Sequence, residues 1–249
     1  MPSCARSFRQ RGGGESRAGS RRGSKKAIQL HTLNVSLSWA RAVDYFENEA
    51  GAAIKDGVLP VVCIQEHGKT GDWYNECSGG LGKQGWKCCG AAALRTCANG
   101  TSSGVAVFVP ACVEVRLAPG QSGWDISPTG STVRLCLMLA KLGGVGWVAV
   151  FSAYFWTGVS LGDLRSARSL DTITHWVKAL RLPWLVGADW QNAPEHLDAS
   201  PWQQLVDGCI VAPYAARGGT CRSGGKESTI DYFWGDRRLE RLVARVDVN

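Results

Sequence analysis

Apolar residues recur along this chain in two rhythms, short unbroken or alternating runs and longer faces with a period near 3.6, and the two alternate. A run from Ala27 to Val35 predicts a strand. It is followed by a helical face of Trp39, Val43, Phe46 and Ala50, spaced 4, 3 and 4 apart, and Gly57 resets the chain before the next run, Val61 to Ile64. That strand, helix, strand order is a crossover unit of a layered α/β domain. Residues 71–103 are turn-rich and predict little beyond a strand from Trp86 to Leu94. Strands are then expected over Gly104 to Val109, Val113 to Leu117 and Val133 to Leu139, with Pro110 and the 119–130 segment punctuating them as hairpins. Hairpins imply antiparallel pairing, so the sheets should be mixed rather than all parallel. Val148 to Phe155 reads as a central strand. The helix after it carries Leu164, Ala167, Leu170, Ile173, Val177 and Leu180, with Asp163 as its N-cap and Arg181 and Pro183 marking its end. A strand over Trp184 to Val186, a loop over Gly218 to Ser228, a strand through Ile230 to Phe233 and a last strand-like stretch over 242–248 complete the pattern. No internal repeat is visible.

Four of the strand-like runs finish on an oxygen-bearing side chain: Asn34, Glu66, Asp189 and Asp231. A buried carboxylate is costly, so an acid that ends an apolar run usually faces a site rather than the core. Together the four suit a hard cation and a phosphate. Gly68-Lys69-Thr70 invites a phosphate-loop reading that fails, because Cys63 stands where that motif needs its first glycine.

Composition changes this picture in three places. A chain of 249 residues, 45% apolar and 20% charged, can bury one substantial core, and eleven tryptophans offer large side chains to fill it. The formal charge of +7 is local: residues 1–26 hold eight basic residues and one acid, and the remainder has 20 of each sign. That Arg-, Ser- and Gly-rich tail is expected to be disordered. It reads as a solvated linker, as a nuclear-import or phosphate-binding cluster at Arg21 to Lys26, or as a transit peptide. The ten cysteines include no Cys-x-x-Cys pair, and Cys63, Cys112 and Cys136 alternate with aliphatic residues, so they read as small hydrophobes rather than zinc ligands. No secretory signal and no apolar run near ~20 residues is present, so an intracellular, non-membrane protein is expected, with the nucleus as one setting.

The succession Asn34, Gln65-Glu66, Ser152-Ala153-Tyr154, Gly187-Ala188-Asp189 and Thr229-Ile230-Asp231-Tyr232 resembles the endonuclease/exonuclease/phosphatase superfamily, most closely apurinic-endonuclease-like domains, including those of non-LTR retrotransposons. The resemblance spans residues 28–249. It implies an α/β fold, a two-layer β-sandwich of mixed sheets flanked by helices, and a Mg²⁺- or Mn²⁺-dependent phosphodiester hydrolase acting on DNA as a monomer. By that resemblance Glu66 and Asn34 hold the metal, Asp189 positions or deprotonates the attacking water, Tyr154 donates to the phosphate, and Asp231 orients a catalytic histidine. Gln191 stands where the family has an asparagine, with Asn192 one step later, so both are candidate phosphate contacts. The family's histidine near the end of the domain has no counterpart after His196. A C-terminally truncated domain and an impaired catalyst are therefore expected. The alternatives are a non-catalytic remnant of a retroelement endonuclease and a phosphatase acting on small phosphoesters.

Overall fold

The computed structural model describes residues 28–35, 39–95, 101–128, 133–211, 221–223 and 226–248. The basic tail, and the expectation of disorder placed on it, lie outside these. In chain order the strands are β1 (Ile28–Asn34), β2 (Leu59–Gln65), β3 (Trp86–Ala91), β4 (Leu94–Arg95), β5 (Thr101–Ser102), β6 (Val105–Pro110), β7 (Glu114–Arg116) and β8 (Leu135–Leu142). They continue with β9 (Gly146–Tyr154), β10 (Trp184–Asp189), β11 (Gly208–Ile210), β12 (Cys221–Ser223), β13 (Lys226–Ser228), β14 (Asp231–Asp236) and β15 (Val243–Val248). The helices are α1 (Trp39–Tyr45), α2 (Gly51–Lys55), α3 (Gly71–Lys83), α4 (Leu164–Leu180), α5 (Pro194–Asp198) and α6 (Pro201–Val206), and a π-helical turn over Phe46–Ala50 joins α1 to α2.

Two mixed sheets face each other. One has the order β15-β1-β2-β6-β3 and the other β11-β14-β10-β9-β8-β7; β4-β5 and β12-β13 are small separate hairpins. Strand alternation sorts the residues into three apolar clusters. Val61 and Cys63 of β2, Val148 and Val150 of β9 and Leu185 of β10 point between the sheets. Their neighbours Val62 and Ile64 pack outward under α1 and the π-turn, and Ala149, Phe151, Val186 and Ala188 pack outward under α4 to α6. Because both faces of these strands are covered, they read in sequence as unbroken apolar runs. No described helix is long and apolar enough to cross a membrane.

Helix α4 follows its sequence pattern closely. Asp163 accepts a hydrogen bond from the Arg165 amide (3.0 Å), Ile173 and Val177 are buried, and Arg181 closes the helix in a left-handed conformation. Two expectations fail. The turn-rich reading of 71–103 missed α3, thirteen residues long, because Gly79, Gly80 and Gly82 are poor helix formers; packing of Tyr74 and Leu81 onto the first sheet overrides that propensity. The loop expected over Gly218 to Ser228 contains the β12-β13 hairpin, in which Cys221 pairs with Ser228. The stretch ending at Val248 is β15, a parallel partner of β1 at the sheet edge.

Candidate active site

One rule places the site. Asn34 shares the parity of Ile28 and Leu30 on β1, Tyr154 that of Val148 and Val150, Asp189 that of Leu185, and Asp231 that of Phe233. All four therefore belong to the faces turned between the sheets, at strand ends. β9 and β10 are parallel with Tyr154 beside Asp189, and β14 runs antiparallel with Asp231 beside Asp189, so three of them sit side by side at one end of the sandwich.

Glu66 follows Gln65 and by alternation would point to the helix side. It adopts φ 54°, a left-handed conformation costly for a non-glycine residue. The strand alternation breaks there, and the Glu66 carboxylate accepts a hydrogen bond from the Tyr154 hydroxyl of the opposite sheet. Gln191, just beyond β10, is also left-handed (φ 55°). Its side-chain amide donates to Asp189 Oδ2 at 2.7 Å and its backbone N–H to Oδ1 at 3.2 Å. Asn34 donates to the same Oδ2 from the first sheet, also at 2.7 Å. The Asp189 carboxylate is thus held by donors from both sheets.

Asn192 does not join this cluster. Its amide donates to the carbonyls of Trp190 (3.0 Å) and Val159 (3.5 Å), and its own carbonyl accepts from the Tyr232 hydroxyl (3.2 Å), so it shapes the turn. Of the two candidate amides, Gln191 is the one brought to the carboxylate. Trp190, fully buried, stacks between Phe155 (4.8 Å) and Tyr232 (5.3 Å) and fixes the outer side of the three strand ends.

The charges interact. Burial pushes the Asp189 carboxyl up to about 6, with the Glu66 charge adding to the rise and the donors from Asn34 and Gln191 opposing it. Burial, then the bond and charge of Glu66, push the Tyr154 hydroxyl up to about 12, so it remains a proton donor at neutral pH.

Sequence reasoning missed Arg134, which lies just before β8. It is 8% exposed, donates to the carbonyls of Tyr154 (3.4 Å) and Phe155 (3.1 Å), and stacks its guanidinium on the Tyr154 ring at 4.3 Å. Nothing in the local pattern Thr132-Val133-Arg134-Leu135 marks it; only the pairing of β8 with β9 brings it to the site.

His67, which follows Glu66, serves the loop. Its Nδ1 accepts the Lys69 amide (3.1 Å), which leaves the proton on Nε2 to donate to the Ala91 carbonyl (3.1 Å), and its ring stacks on Tyr74. Burial pulls its pKa down to about 4, in keeping with a neutral ring. Gly104, at φ +92°, packs against that ring, and a Cβ there would fall 2.5 Å from His67 Cε1. Gly104→Ala is expected to cost about 2–3 kcal/mol from backbone strain and overpacking together. A melting temperature within 2 °C of the parent would refute this packing.

No group of three or more His, Cys, Asp or Glu placed to hold a metal ion occurs among the described residues. Glu66 and Asn34, the latter with its amide nitrogen on Asp189, offer one carboxylate and one amide oxygen as a small donor set. That set fits Mg²⁺ or Mn²⁺ and not a closed zinc cage.

No protein-family model and no curated protein sequence matches the chain; its likeness to known proteins lies in the fold. The AP endonuclease LMAP from Leishmania major superposes with a TM-score of 0.60 at 12% identity, covering 87% of this chain and 80% of that one. The human Nocturnin catalytic domain gives 0.54 at 16%, covering 82% and 78%, and the Xenopus laevis APE2 catalytic domain 0.52 at 15%, covering 86% and 83%. The chain has the endonuclease/exonuclease/phosphatase fold, as the sequence motifs led us to expect.

Proposed function

We propose that this protein is a divalent-metal-dependent phosphodiester hydrolase of the nuclease type, acting on DNA. The observation that carries the reading is the convergence of two cross-sheet hydrogen-bonded pairs, Asn34 with Asp189 and Tyr154 with Glu66, whose carboxylates are close enough for the Glu66 charge to act on Asp189. Bound Mg²⁺ or Mn²⁺, held by Glu66 and Asn34, supplies positive charge to a phosphoryl oxygen. Asp189, ionised at neutral pH yet more basic than a solvated carboxylate, orients the attacking water and accepts its proton. Tyr154 keeps its proton; its hydroxyl, bonded to Glu66 here, would turn to charge developing on the phosphate when a bound metal takes up that carboxylate. Asp231, in register with Asp189, adds a third carboxylate at the same end. Gln191, through its bonds to Asp189, is a positioning residue and a candidate phosphate contact.

Turnover is proposed to be low. His67, the imidazole nearest to Glu66 in sequence, is committed to Lys69 and Ala91, so it does not supply the phosphate-side imidazole that the resemblance calls for. Loss of one such donor costs ~10²–10³ in rate. The test is cleavage of abasic, nicked and plain duplex DNA with Mg²⁺, with Mn²⁺ and with EDTA. Slow, metal-dependent cleavage of at least one substrate is expected. No cleavage of any of them at stoichiometric enzyme would overturn the reading.

A further inference from the structure

The contacts that begin at Glu66 do not stop at the reacting centre. Tyr154 carries Arg134 on its ring at 4.3 Å, and the same guanidinium lies 3.7 Å from the centre of the Trp156 ring. Trp156 in turn carries Arg165, 5.0 Å from its centre. Trp156 is half-buried and stands two residues beyond Tyr154, whereas Arg165 is in the first turn of α4 with about half of its side chain open to solvent. The result is one continuous path from the candidate metal ligand to an exposed cation: Glu66, Tyr154, Arg134, Trp156, Arg165.

Each link limits what the next can do. Arg134 is spent on the carbonyls of Tyr154 and Phe155 and is mostly enclosed, so it acts at the site itself. Arg165 is anchored at one edge only: its Nε donates to Asp163 at 2.9 Å, and its two terminal nitrogens make no hydrogen bond among the described residues. A stacked, half-anchored guanidinium loses little freedom when it binds, and its open edge matches the two oxygens of a phosphate. The Asp163 pair is solvent-exposed and therefore weak, so it does not cancel the attraction of a phosphate.

We propose that Trp156 and Arg165 form a backbone subsite for a phosphate flanking the scissile one, so the substrate is a polynucleotide strand and not an isolated phosphoester. This rests on the hydrolase reading above and adds to it a second point of contact with the strand, away from the reacting centre. Trp156 is the positioning residue: with Arg134 and Arg165 both over its ring, it sets their spacing. The contact is to backbone, so it carries no sequence preference.

The test is the salt dependence of binding of the full chain to a fluorescent 20-mer duplex, measured by anisotropy in EDTA so that no cleavage is needed. Each phosphate contact contributes about 0.9 to the slope of log Kd against log salt on duplex DNA. Arg165→Gln is expected to lower that slope by about that amount and to weaken binding severalfold at ~0.1 M salt. Arg165→Lys should keep the slope, because it keeps the charge. Arg237→Gln removes an equally exposed charge just past the far end of β14 and should leave the slope at the parent value. An unchanged slope in Arg165→Gln, or an equal fall in Arg237→Gln, overturns the subsite. If Arg165→Gln behaves as expected but the parent cleaves nothing in Mg²⁺, the subsite stands and the hydrolase reading fails.

Discussion

Asp189→Asn is expected to abolish cleavage and, in EDTA at pH 7, to raise the melting temperature. The activity loss follows from its role as base: asparagine has no basic oxygen to accept the water's proton, and a loss of at least ~10³ in rate is expected from removing proton transfer and charge together. The stability gain follows from burial. The carboxyl is buried and pushed from the ordinary 3.8 up to about 6, so keeping it ionised at pH 7 costs the folded state ~3 kcal/mol. Asparagine removes that cost but sets its amide hydrogens against the Gln191 N–H that Oδ1 now accepts, which returns about 1 kcal/mol. A net gain of ~2 kcal/mol raises the melting temperature by roughly 4–8 °C in a chain of this size. The sign with pH is set by the raised pKa. The folded state binds the proton more tightly than the unfolded state, so the parent in EDTA loses stability as pH rises through about 6, and Asp189→Asn does not share that loss. Thermal melts from pH 4.5 to 7.5 read both effects; a destabilised Asp189→Asn at pH 7 would contradict the burial argument. Mg²⁺ should raise the melting temperature of the parent, and Glu66→Ala should remove that increment.

Gln65→Ala is expected to be the most destabilising substitution among the polar residues, by about 3–5 kcal/mol. Gln65 is fully buried between the sheets. Its Oε1 accepts the Thr32 hydroxyl (3.1 Å), and its Nε2 donates to Ser152 Oγ (3.1 Å) and to the Gly187 carbonyl (3.2 Å). Ser152 donates in turn to the Ile64 carbonyl at 3.0 Å. One amide therefore joins β1 and β2 to β9 and β10 directly beneath the site. Alanine leaves a cavity and strands several polar groups in an apolar layer, where each is costly. A fall in melting temperature of ~10 °C or more is expected. Converting the set together, as Thr32→Val, Gln65→Leu and Ser152→Ala, should recover much of the loss, because apolar groups of similar shape need no partners. If Gln65→Ala alone melts within 3 °C of the parent, the network does not join the sheets as described.

Legibility in the sequence followed local chemistry. The strand-end placement of Asn34, Glu66, Asp189 and Asp231 was legible because each interrupts the end of an apolar run, and α4 because its cap, face and stop agree. Helix α3 was hidden by its glycines. Arg134 was hidden because its partners come from β9, twenty residues on, and no neighbour in sequence announces them. Gln65 was visible only as the residue before Glu66; that Glu66 comes back to the same side as Gln65, against strand alternation, depends on a backbone reversal that residue types do not encode. Asn192 and Gln191 were indistinguishable by type, and the left-handed turn at Gln191 separated them.

The pairing of β15 with β1 has a consequence for how the chain is made. The two strands lie parallel, Thr32 beside Val248, with nearly the whole domain between them in sequence. During synthesis β1 can pair with β2 early, but its other edge stays bare while roughly 200 further residues are added, tens of seconds at ~5–20 residues per second. A bare apolar strand edge is a template for another chain. Nascent copies on neighbouring ribosomes are therefore at their most adhesive just before β15 emerges, and a chaperone that shields β1 over that interval should improve yield more than one that acts after β15 has paired.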